Sequence, residues 1–241
     1  MKKWFLYKKK IVPLQNYKFN LIFKLKLIFK MKKLFVSIVA AATVFVFTSC
    51  GSDIEITIPG DDLTIDLGDR TKALEGVSAK GKKDIPKEDI TIEGLDFVGN
   101  GKLIYTAKDE SGNQSAERGV TIKTDLLWGT YKVTETDLDP VTPNPANVYD
   151  IKVEKSGNDV IKLLMDGFGG ASFAMVFAGD GKSTTLTMEP TSVTSSGVKG
   201  TATGEVSYSK LTNGYAIQQG KYKIEYEDGD VYDASVVFER K

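Results

Sequence analysis

The chain has 241 residues with 32 Lys plus Arg, 32 Asp plus Glu and no histidine, and the lack of histidine removes Ser-His-Asp and Cys-His catalysis and the usual zinc sites. The formal net charge of zero averages two unlike parts: 11 of the basic residues lie in residues 1–50 and all 32 acidic ones lie beyond, leaving the remainder near −11. So acidic a chain is a poor nucleic-acid binder. With one cysteine and no disulfide, stability must come from burial, for which the roughly 190 residues after Cys50 suffice for one or two cores.

Residues 1–30 carry nine lysines and no acidic residue amid mostly Phe, Leu, Ile, Asn and Tyr. That mixture is what translated AT-rich non-coding DNA gives, so the expected start is Met31. The alternative is a basic helix lying on a membrane, against which Pro13 and the irregular lysine spacing argue. From Met31 the pattern is that of a secretory signal: Lys32 and Lys33, an apolar run from Leu34 to Phe47, then small residues before Cys50. The apolar run is shorter than the roughly 20 residues of a comfortable membrane span. It ends in Phe47-Thr48-Ser49-Cys50, which resembles the lipobox of bacterial lipoproteins, and the resemblance implies that Cys50 carries a lipid. A buried helix with a buried thiol is the competing reading.

Beyond Ile54 no segment shows a helical period. Short alternating runs rich in Ile, Val, Thr and Tyr, separated by Gly, Asn, Asp and Pro, predict an all-β chain. A boundary falls near Lys123 to Trp128, giving one domain over 51–124 and another over 125–241. In the first, strands are expected at 55–58, 63–67, 89–92, 102–107 and 119–122, a size that suits a small sandwich. Tyr105-Thr-Ala-Lys-Asp-Glu-Ser-Gly-Asn113, followed by a last strand, resembles the closing hairpin of bacterial immunoglobulin-like domains, which implies that fold for 51–124.

The second domain opens with Leu127-Trp-Gly-Thr-Tyr-Lys-Val-Thr134 and offers eight candidate strands, near 129–136, 147–155, 159–165, 172–178, 183–189, 202–209, 214–226 and 230–239. Eight strands in this length fit an up-and-down antiparallel barrel or a related sandwich. Trp128-Gly-Thr-Tyr131 is similar to the first strand of lipocalin-like domains, where the usual order is Gly-x-Trp. In the last hairpin, Tyr222, Ile224 and Tyr226 share one face and Tyr232, Ala234, Val236 and Phe238 another. An odd loop, 228–230 or 227–231, keeps those faces together by pairing Tyr226 with Tyr232 and Ile224 with Ala234. The large inward candidates Phe173, Phe177, Tyr222, Tyr226 and Phe238 argue against an open cavity.

The whole layout resembles two-domain surface lipoproteins of Bacteroidetes. Ser52-Asp53-Ile54-Glu55 after the lipidated cysteine is similar to their surface-export signal. What the resemblance implies is an outer-membrane, lipid-anchored protein at the cell surface, non-catalytic, with a role in glycan capture for nutrient uptake. A structural or adhesin subunit of a surface assembly, without a small ligand, is the alternative, and a protein partner stays open beside a glycan.

Candidate chemistry is sparse. Glu225, Glu227, Asp228 and Asp230 at one hairpin tip are paired carboxylates of the kind glycosidases use, but acidic turn residues are ordinarily solvated surface. Asp137 with Asp139, and the acidic turns at 109–113 and 227–230, offer oxygens to calcium, yet turn chemistry alone explains them. Neither a metal site nor a cofactor is expected. Asp166-Gly-Phe-Gly-Gly-Ala171 lacks the helix and Lys-Ser/Thr of a phosphate loop and reads as a sharp turn with Phe168 packed inward. The connection from Asp137 to Ala146 holds three of the seven prolines, which pre-order it at reduced entropy cost. If a ligand site exists, it is expected at this loop with Trp128, Tyr149, Tyr215 and Tyr232, whose aromatic faces can stack on sugar rings.

Overall fold

The computed structural model describes strand 45–47 and residues 53–168 and 173–241. Cys50, residues 1–43 and the side chains of Phe168 and Phe173 lie outside that description, and with them the expectations placed there. Val44–Lys241 forms one compact unit.

The first half holds two four-stranded sheets. One has the order β1-β2-β4-β5 and the other β3-β8-β7-β6, from β1 (Phe45–Phe47), β2 (Glu55–Ile58), β3 (Leu63–Asp66), β4 (Ser78–Lys80), β5 (Asp84–Ile85), β6 (Thr91–Glu93), β7 (Gly99–Asp109) and β8 (Gly112–Lys123). Strand β1, expected in the apolar core of a signal, pairs antiparallel with β2. Period-two alternation sends Ile56 and Ile58 from β2, Ile65 from β3 and Leu103, Tyr105 and Ala107 from β7 into a common core. Strand β3 runs parallel to β8, with Leu63 opposite Val120 and Ile65 opposite Ile122. Tyr105 is fully buried and donates its hydroxyl to the Ala73 carbonyl at 2.9 Å. Ala73 ends a single helical turn, α1 (Arg70–Ala73), capped by the Asp69 carboxylate accepting from the Lys72 amide. One turn is too short to print a helical period, and β4 and β5 are too short to print alternation.

Lys123 leads through a short 3-10 turn, Asp125–Leu127, into the second half. There β9 (Gly129–Asp137), β10 (Asn147–Ser156), β11 (Asp159–Phe168), β12 (Phe173–Gly179), β13 (Thr185–Met188), β15 (Val198–Leu211), β16 (Gly214–Tyr226) and β17 (Val231–Arg240) each pair antiparallel with the next. The ring closes where β17 meets β9, with Phe238 opposite Val133. This is a closed eight-stranded antiparallel barrel. Strand β14 (Thr191–Ser195) continues the line of β13 along β15. A bulge at Gly167, φ 88°, breaks the register of β11 against β12. Tyr131, Val133, Met165, Met175, Phe177, Tyr222, Val236 and Phe238 are each at most 5% exposed and fill the interior, as expected for eight strands, whose bore is just wide enough for side chains.

The last hairpin keeps the expected faces but not the expected register. Ile224 lies opposite Tyr232 and Tyr222 opposite Ala234, a slip of two residues from the expected pairing. The loop is odd, with Glu227, Asp228 and Gly229 enclosed by a Tyr226 amide to Asp230 carbonyl bond of 2.9 Å. Gly229 at φ 94° occupies the left-handed position that ends a three-residue loop. That requirement fixes where the turn sits, and the hydrophobic pattern, blind to shifts of two, does not.

The two halves are locked at a seam. The Tyr208 hydroxyl accepts from the Val98 amide at 2.8 Å and donates to the Asp96 carbonyl at 2.9 Å, while the Tyr215 hydroxyl bonds the Asp96 carboxylate. Gly181 donates its amide to the Val98 carbonyl at 2.8 Å. A Cβ on Gly181, whose φ is 70°, would lie 2.3 Å from the Asn100 carbonyl oxygen. Gly181→Ala is therefore expected to destabilise the whole unit by about 1–3 kcal/mol from overpacking alone. Thermal denaturation should show a midpoint lower by about 2–4 °C per kcal/mol lost; an unchanged midpoint would mean the seam is loose.

Candidate functional site

The barrel end away from the seam carries the site. On β9, Tyr131, Val133, Glu135 and Asp137 all face inward and are buried. The first two join the core. The last two place carboxylates at the mouth, where a charge is tolerated only with partners. Glu135, 6% exposed, accepts from the Tyr232 hydroxyl on one oxygen at 2.7 Å and from the Tyr149 hydroxyl on the other. Tyr222 lies one layer deeper, its ring centroid 5.9 Å from that of Tyr232. Burial, and then the Glu135 charge, push the phenols of Tyr222 and Tyr232 well above the ordinary tyrosine range. The Tyr232 hydroxyl stays protonated and acts as a donor to the carboxylate.

Asp137 organises the proline loop. Its carboxylate accepts the Asp139 amide at 3.0 Å on one oxygen, and the Asn144 amide at 3.0 Å and side-chain Nδ2 at 2.7 Å on the other. Asp139 in turn accepts the amides of Val141 at 2.7 Å and Thr142 at 3.1 Å. The backbone donors at Asp139 and Asn144 hold the Asp137 carboxyl below its ordinary value, and those at Val141 and Thr142 do the same for Asp139. Because both folded values are depressed, the loop's ordering is complete above the unfolded value near 3.9 and is lost as pH falls through the lower folded values. Amide exchange or NMR shifts of residues 138–146 should therefore hold steady from neutral pH down to about pH 4 and change only below it; a transition near neutrality would contradict this wiring.

Glu135, Asp137, Asn144, Pro145, Ala146, Asn147 and Tyr232 line an open hollow of about 490 Å³, within the size range of small-molecule sites, with Tyr149 behind Glu135 rather than in its lining. Of the aromatic residues singled out from sequence, Tyr149 and Tyr232 meet here on Glu135 beside the proline loop. Trp128 and Tyr215 do not. Trp128 immediately precedes β9 and Tyr215 is the second residue of β16, so both sit at the opposite, seam end, where Arg240 donates to the Trp128 carbonyl at 2.5 Å and the Tyr215 carbonyl at 2.8 Å. Trp128 donates its indole N–H to Thr124 Oγ1 at 3.2 Å. Glu135 escaped the sequence reading, and Asp137 and Asn144 entered it only as a calcium-type acid and as part of the proline loop, although a signal was present: in Tyr131-Lys-Val-Thr-Glu-Thr-Asp137 the two acids fall in phase with the buried face. The hairpin-tip acids are turn and surface groups, with Glu225 paired to Lys223 at 2.6 Å and Asp228 accepting the Asp230 amide at 3.2 Å. Among the described residues no group of three or more Cys, Asp or Glu is arranged to hold a metal, and no helix is long and apolar enough to cross a membrane.

No protein-family model matches the chain, and a search of curated proteins finds no match. Among solved structures, the chain is similar to the crystal structure of a lipoprotein from Bacteroides thetaiotaomicron, at 17% identity and a TM-score of 0.32, over 76% of this chain and 99% of that one.

Proposed function

We propose that the protein is a non-catalytic, lipid-anchored envelope protein of the outer-membrane surface, held by Cys50, whose barrel mouth binds a glycan for uptake. The observation that carries this reading is the mouth itself. Its cavity is preformed, with Tyr149 and Tyr232 fixed on a buried carboxylate and a proline loop tied down at one rim. A hollow with one held aromatic ring, Tyr232, and the amides of Asn144 and Asn147 suits stacking and hydrogen bonding to a sugar ring at low entropy cost. In this reading the first half is an immunoglobulin-like sandwich that holds the barrel away from the bilayer. Its parallel β3–β8 pairing beside the antiparallel β7–β8 hairpin supports that description.

A second reading rests on a specific patch. Leu138, Val141, Val148, Val231 and Val237 are 48 to 83% exposed and lie on β10, β17 or the proline loop. An apolar rim of this kind fits a subunit of a surface assembly. The test is capture of fluorescent oligosaccharides by intact cells displaying the wild-type protein, Tyr149→Ala or Tyr232→Ala. Capture lost in both variants supports the glycan reading. Equal display without capture in the wild type favours the assembly.

A further inference from the structure

We infer that Asn213, at the tip of the β15–β16 hairpin, is a site of spontaneous covalent modification: in the folded protein it loses its side-chain nitrogen as ammonia and becomes aspartate and isoaspartate, while Asn100 keeps its amide. The chemistry needs only water. The backbone nitrogen of the following residue gives up its proton and attacks the asparagine Cγ; ammonia leaves and a cyclic succinimide closes. Water then opens the ring at either carbonyl, giving aspartate, or isoaspartate, in which the main chain runs through the side-chain carbon. Glycine in the following position leaves the attacking nitrogen unhindered and the backbone free to turn towards the side chain. The sequence has two such pairs, Asn100-Gly101 and Asn213-Gly214.

The fold separates them. Asn213 is exposed and, with Thr212, forms the loop beyond the last pair of the β15–β16 ladder, Leu211 with Gly214. Gly214, at φ 119°, has open space where a Cβ would sit. A hairpin tip of this kind opens locally at little free-energy cost, whereas residues inside a ladder open only with the cooperative unit that contains them. Asn100 lies inside the β7–β8 ladder opposite Thr121, whose hydroxyl donates to the Asn100 side-chain oxygen at 2.8 Å, and Gly101 lies opposite Val120. The same backbone is pressed against the barrel: a Cβ on Gly101 would lie 2.4 Å from the Gly181 carbonyl oxygen. Closing the ring at Asn100 therefore means breaking both the ladder and the seam. The surroundings of Asn213 also accommodate the product. With Asp125, Arg240 and Lys241 it lines a hollow of about 510 Å³, so the new carboxylate arises near two cations.

The experiment is incubation of the purified protein at body temperature in mildly alkaline buffer, with and without urea. Tryptic peptides are then mapped by mass, and isoaspartate is detected by methyl transfer from an isoaspartyl-specific methyltransferase. In native buffer the peptide 211–221 should convert at least about tenfold faster than the peptide 88–102, because the ladder around Asn100 must open first. Urea should bring the two rates together. Asn213→Gln should remove the isoaspartyl signal from 211–221. Equal rates in native buffer overturn the inference, as does a 211–221 peptide that keeps its amide in native buffer and converts only in urea.

Discussion

Replacing Glu135 with alanine should destabilise the protein by about 3 kcal/mol, because hydrogen bonds to a charged group contribute about 1.5–3 kcal/mol each and two tyrosine hydroxyls lose their acceptor at once. Tyr149 and Tyr232 are only half-buried, so water recovers part of the loss, which is why the expected cost stays below the sum of two full bonds. Glu135→Gln keeps the shape and one acceptor oxygen and should cost about half as much. Urea denaturation is the measurement, with a lower midpoint at unchanged slope. A change within about 0.5 kcal/mol, the range of ordinary surface substitutions, would mean that the cluster holds nothing together.

Changing Cys50 to alanine should release the protein from the membrane fraction altogether. The described part of the chain offers no helix able to span a bilayer, and in the proposed reading attachment rests on acyl chains worth about 0.8 kcal/mol per buried CH₂, all lost with the thiol. Fractionation of cells expressing wild type and Cys50→Ala, with intact-mass measurement of the mature N-terminus, checks the anchor, and peptide mass spectrometry of whole cells checks the expected start at Met31. A Cys50→Ala chain that stays in the envelope without a partner contradicts the lipid anchor, and peptides from residues 4–30 contradict the start.

The all-β class and the strands of the barrel were legible because period-two burial is written directly into runs such as Tyr131-Lys-Val and Tyr232-Asp-Ala-Ser-Val-Val-Phe238. What was not legible has specific causes. The final hairpin's register depended on the left-handed demand at Gly229, to which face alternation is indifferent. The seam joins Asp96 to Tyr208 and Tyr215 across more than 100 residues, and nothing local announces such a contact. At the site, Tyr149 and Tyr232 stood out as aromatics near the proline loop, but Trp128 and Tyr215 looked equivalent to them because sequence does not say which end of a barrel a strand starts from. Glu135 carried no expectation from the sequence, although its phase on β9 marks it as buried.

The measurement that tests the account most directly is the thermal shift of the protein against a panel of host and plant glycans, for wild type and for Tyr149→Ala with Tyr232→Ala. A ligand at 100 times its Kd should stabilise the wild type by about 2.7 kcal/mol, and the double variant should lose most of that gain. Stabilisation that survives removal of both tyrosines, or none from any glycan, would contradict a glycan-binding mouth.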